Sequence, residues 1–136
     1  MVITTKLTRR PSGTAVVAAV LMGGVAVFQI ALVAGAPWGA AAWGGASPGT
    51  LPAGLRVASA GSALVYAFLA VAAGTALVPP RRRRGILTVA SGAMALGTAM
   101  NLASPSDVER ALWTPVAGVL AVLLWRARSD GDRHPD

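Results

Sequence analysis

Apolar residues gather in four long blocks, at residues 14–36, 55–78, 86–103 and 108–125, and charged residues stay at the ends of those blocks. Each block is roughly 18–24 residues long. At about 1.5 Å per residue that is enough to cross a hydrocarbon core of about 30 Å. None has an acid, a lysine or an arginine in its interior. This pattern predicts an all-α fold, a four-helix transmembrane bundle, with residues 14–126 forming the membrane domain. Residues 1–13 then form a polar lead and residues 127–136 a polar tail.

The breakers between the blocks set the connections. Residues 37–54 are rich in Trp, Gly and Pro and carry no charge. They predict a long external loop lying across the mouth of the bundle, with Trp38 and Trp43 at the membrane–water interface. Pro79 and Pro80 stop the second helix, and the arginine run behind them predicts a tight turn that makes helices two and three antiparallel neighbours. Ser106 and Glu109 have capping-box spacing at the start of the fourth helix, with Asp107 complementing the positive helix end. Pro115 predicts a kink near residues 112–115. Ala19 and Gly23 form a small-x-x-x-small pair suited to close helix approach. Trp113 and Trp125 read as anchors near opposite ends of the last helix.

Charge orients the bundle. The chain carries 12 Lys and Arg against 5 Asp and Glu, a formal net charge of +7. Lys6, Arg9 and Arg10 precede the first block. Arg81, Arg82, Arg83 and Arg84 separate the second and third, and Arg126, Arg128 and Arg133 follow the fourth. The other two connections hold only Arg56 and Arg110. This is the positive-inside distribution, so both termini are expected in the cytoplasm of a multi-pass plasma (inner) membrane protein. The arginine run then has a topogenic role and meets anionic head groups rather than nucleic acid. Residues 1–36 also resemble a signal peptide, ending in Ala34-Gly35-Ala36. The long apolar run and Pro37 argue against cleavage there.

Composition excludes several chemistries. There is no cysteine, and the one histidine, His134, lies in the polar tail. No metal site, cofactor or catalytic constellation is therefore expected, and no carboxylate lies in the interior of a block to carry protons. The polar groups that remain gather at the external helix ends. Gln29, Trp38, Trp43, Arg56, Asn101 and Glu109 are the candidate ligand-binding residues of an outward-facing pocket. Arg56 has three readings: a snorkelling or phospholipid-binding residue, one half of an ion pair with Glu109 or Asp107, or an anion-binding residue. For Gln29 the alternative is structural glue, with Asn101 or a backbone carbonyl as partner. Arg56, Ser106, Asp107 and Glu109 are equally candidates for a structural ion pair or cap.

The motifs Pro37-Trp38-Gly39, Ala42-Trp43-Gly44-Gly45, Leu51-Pro52 and Leu55-Arg56, together with Asn101, Ser104, Ser106, Glu109 and Trp113-Thr114-Pro115-Val116, resemble an uncharacterised family of small four-span bacterial inner-membrane proteins. The resemblance covers about residues 15–125 and implies the four-helix topology. It carries no activity. The expected function is therefore non-enzymatic: binding or transport of a small or lipid-like ligand. The alternative is a scaffold or accessory subunit that packs against itself or another membrane protein. A lipid or quinone enzyme and a small channel are the remaining readings.

Overall fold

The computed structural model describes residues 9–130; Lys6, Arg133 and His134 lie outside the described residues. It contains four long helices, α1 (Gly13–Val33), α2 (Ala53–Gly74), α3 (Pro80–Leu102) and α4 (Asp107–Ala127), and no strand among the described residues. All four are long and apolar enough to cross a membrane, the signature of a multi-pass membrane protein.

The ends of each helix follow from local chemistry. Ser12 caps α1 by accepting the Ala15 N–H at 3.1 Å. At the other end α1 stops at Val33, three residues before the apolar run does. The Ala36 N–H bonds the Ala31 carbonyl and the Gly35 N–H bonds that of Leu32, with Gly35 at φ +98°. That is a Schellman turn. Helix α2 ends where the Thr75 hydroxyl donates to the Val71 carbonyl.

The arginine run is not a turn. Helix α3 begins at Pro80, so all four arginines are helical and the connection shrinks to residues 75–79. Proline at the first helical position has its φ already set and needs no N–H partner there, and arginine is a good helix former. Arg83 is buried at 4% exposure. Its guanidinium donates to the carbonyls of Ala72 (3.1 Å) and Ala73 (3.0 Å) on α2 and of Ala127 (2.9 Å) on α4. These carbonyls belong to the last turns of their helices, where no intrahelical donor remains. One side chain thus ties three helices together. At the same end, Ser12 donates to the Asp130 carboxylate.

The helices pack as a ring in which α1 lies closely on α2 and α3 on α4, while α1 meets α4 less extensively. Ala19 of α1 approaches Gly74 so tightly that a Cβ there would sit 2.7 Å from the alanine methyl; Gly23 faces open space. Ser91 of α3 donates to the Ala121 carbonyl at 2.6 Å. The seam between α2 and α3 is the thinnest, although they are joined by the shortest connection but one. The core sits toward the terminal end, around Met22, Leu69, Leu87, Leu120 and Leu124. Helix α4 continues through Pro115.

Candidate functional site

At the opposite end, residues 34–52 fold back over the ring. Two single-turn 3-10 segments, Gly39–Ala41 and Trp43–Gly45, form the centre of this loop. The Gly39 and Ala40 N–H groups donate to the carbonyls of Gly49 and Pro48, doubling the loop on itself. Leu51 and Ala42 bury against Leu32 of α1. Phe28 of α1 stacks on Trp38 at 5.9 Å and meets the edge of Trp113 at 4.8 Å.

Helix α4 holds the loop down at three points. The Ser106 hydroxyl donates to the Ala40 carbonyl (2.6 Å), the Trp113 Nε1–H to the Ala41 carbonyl (2.6 Å), and the Glu109 carboxylate accepts the Gly44 N–H (3.2 and 3.3 Å). Helix α2 adds a fourth: the fully buried Ser59 hydroxyl accepts from Trp43 Nε1 at 3.0 Å. These bonds stabilise an unusual backbone. Trp43, Gly44 and Gly45 have φ of +53°, +79° and +72°. A left-handed tryptophan costs on the order of 1–2 kcal/mol, which the anchoring bonds offset.

Only half of the expected capping box forms. Ser106 accepts the Glu109 N–H (3.2 Å), as the spacing predicts. The Glu109 carboxylate does not return to the Ser106 N–H. It accepts from Ser104 Oγ and the Gly44 N–H instead, and the Ser106 N–H turns to Ser104 Oγ (3.2 Å). The loop competes for the carboxylate because a buried charged acceptor, here 8% exposed, needs several donors.

Under the loop lies a cavity of about 600 Å³. All four helices and the loop line it. Gln29, Trp43, Asn101 and Glu109 are in its wall, so four of the six residues singled out from sequence share one space. Arg56 and Trp38 are elsewhere. Arg56 makes no pair with Glu109 or Asp107. Its Nε and Nη2 both donate to the Val33 carbonyl (2.9 and 2.6 Å), closing the end of α1, and Asp107 pairs with Arg110. The reason is reach: the Val33 carbonyl, left without an intrahelical donor at the end of α1, lies within hydrogen-bond distance of the Arg56 side chain in the first turn of α2. Replacing Arg56 by alanine is expected to cost about 1–2 kcal/mol through loss of a charge-assisted bond, while leaving the cavity wall intact. Thermal unfolding in detergent reads the first effect, and retention of bound small molecules reads the second.

Residues not singled out complete the wall: Phe28, Ser62, Tyr66, Met94, Ser104 and Trp113. Trp113 and Ser104 belong to the motif that includes Glu109, so their spacing was a usable signal; Tyr66 and Met94 had none. The cavity is graded. Glu109, Ser104 and Asn101 stand at the loop end, whereas Val25, Tyr66, Met94 and Leu120 form the deep end. From Glu109 to Leu120 is about 16 Å along α4. Tyr66 reaches across to the Met94 sulfur at 3.8 Å and closes the floor. Among the lining residues, Trp43 and Met100 are 42% and 65% exposed. Gln29 Oε1 is buried without a hydrogen-bond partner among the described residues, and Asn101 does not supply one. Among the described residues no group of three potential metal-ligating side chains occurs.

No protein-family model matches the chain, and no curated protein and no solved structure is significantly similar to it.

Proposed function

We propose that the protein binds a small lipid-like ligand in the cavity beneath the Trp-Gly loop, on the outward face of the plasma membrane. The carrying observation is the cavity: its volume lies in the range of small-molecule sites, and its wall is mostly apolar with a few polar groups at one end. Its mouth supports a ligand that arrives from the bilayer. The exposed lining residues Trp43 and Met100 and the thin packing of α2 on α3 support entry from that side, and Trp43 carries an indole of the kind that prefers the interface. The charge distribution supports the orientation. Arg9, Arg10, the four arginines of α3, Arg126 and Arg128 lie at the terminal end, which by the positive-inside tendency favours a loop end that faces outward.

The test is native mass spectrometry of protein extracted with surrounding lipid, comparing wild type with Ser62→Phe. Ser62 lines the cavity and is half-buried, so the larger ring fills the space at little cost to packing. A specific adduct on the wild type that is lost in the variant is the expected result. An identical set of adducts on both, or none on either, counts against a ligand site.

A scaffold role is the second reading, and one observation favours it. Helix α3 leaves Gly85, Gly92, Ala95 and Ala99 exposed together with Val89 and Leu96, an apolar face of mixed small and large residues that another helix can cover. The same spectra read it, because a fixed complex with a second copy or another chain would appear as its own mass.

A further inference from the structure

The head-group chemistry of the ligand follows from which hydrogen-bonding groups of the cavity are already used. This step rests on the ligand-binding reading above. No arginine or lysine lines the cavity. The two indole N–H groups in its wall are spent, that of Trp43 on Ser59 and that of Trp113 on the Ala41 carbonyl. What remains in the wall is one anionic acceptor, Glu109, and the amides of Gln29 and Asn101, which both donate and accept. Gln29 Oε1 is buried and unpartnered. A carboxylate offers about four lone-pair sites; Glu109 receives one hydroxyl and one N–H shared between its two oxygens.

We infer that the site selects an amphiphile whose head group donates hydrogen bonds and carries no negative charge, with its chain lying along the apolar deep end. Hydroxyl, amide or ammonium heads fit. A phosphate or carboxylate head would meet the Glu109 carboxylate with no lining cation to offset the repulsion. The nearest arginines are committed elsewhere: Arg56 to Val33, and Arg110 to Asp107 and the Ser104 carbonyl. The negative end of the site is therefore not neutralised from behind.

The experiment is quenching of tryptophan fluorescence in detergent by two probes with the same brominated acyl chain, a monoacylglycerol and the matching lysophosphatidate. They differ by one phosphate on the glycerol. Trp43 and Trp113 line the cavity and report the probe; Ser62→Phe supplies the non-specific background. The expected result is saturable quenching by the monoacylglycerol with the lysophosphatidate at least about tenfold weaker. Gln29→Leu, which keeps the volume and removes the acceptor, should weaken the monoacylglycerol by about threefold to tenfold, the worth of one hydrogen bond. Equal or tighter binding of the lysophosphatidate would overturn the head-group inference while leaving the cavity a ligand site, as would an unchanged Gln29→Leu affinity. No saturable quenching by either probe would overturn the ligand site itself.

Discussion

Arg83→Ala is expected to destabilise the protein by about 3 kcal/mol, whereas Arg81→Ala and Arg82→Ala should stay within about 0.5 kcal/mol of wild type. The four arginines are consecutive and chemically identical, so the contrast depends only on where the chain places them. Arg81 and Arg82 are exposed; Arg83 is buried and fills three carbonyls on two other helices. Truncation strands all three acceptors. Each costs about 1–3 kcal/mol when unpaired, and water at the helix ends recovers part of that. Arg83→Lys should rescue less than half, since a point ammonium cannot reproduce a planar fork aimed at two helix ends. Reversible unfolding in detergent, compared across the four variants, checks this. Equal, small losses at all three positions would mean that the run acts through its charge alone and that Arg83 adds nothing to the bundle.

The second large effect is expected at Gly39. A Cβ built there would stand 1.7 Å from the Ser47 carbonyl oxygen and 2.6 Å from that of Gly49. Both are backbone atoms of the loop segment that doubles back on residues 39 and 40, so no side-chain rotation relieves the clash. Gly39→Ala must therefore open the loop. With it go the burial of Ala42 and Leu51 against Leu32, the Trp113 bond to Ala41 and the roof of the cavity. The expected cost is about 3 kcal/mol or more, at the upper end of overpacking effects because backbone rather than side chain must move. Gly49→Ala is the matched control. Its Cβ would meet nothing within 4 Å, and it should be silent. Near-ultraviolet circular dichroism, which reports the packing of Trp38, Trp43 and Trp113, separates the two variants. Loss of the cavity adduct in Gly39→Ala alone would identify the loop as its cover.

The four helices were legible because spanning is a property of local composition. An apolar block of sufficient length has one way to satisfy its backbone in lipid, and each block lies within a few residues of a helix. The errors fall at the ends. Residues 34–36 are apolar and continue the first block by any hydropathy measure, yet Gly35 turns the chain by adopting positive φ, which hydropathy does not register. The arginines before the third block are polar and looked like a turn, but Pro80 and the helix propensity of arginine start α3 ahead of its apolar part.

The candidate site was half legible for a related reason. Threading an antiparallel bundle brings the ends of α1 and α3 and the starts of α2 and α4 together, so the polar residues near those ends had to be neighbours. Gln29, Trp43, Asn101 and Glu109 do share one wall. Proximity did not say which bonded which. Arg56 turned to a carbonyl rather than a carboxylate, and Glu109 turned to a loop amide rather than to its own helix.

Block length and breaker position are local, and they were enough to give the number of helices and, within a few residues, where each one lies. The tertiary structure decided the rest: which of four arginines is buried, which acceptors remain unmet, and that the four helices and the loop enclose a cavity. Those outcomes turn on distances of a few ångströms between residues far apart in the chain. At that scale a hydrogen bond is made or lost, and no pattern along the sequence encodes it.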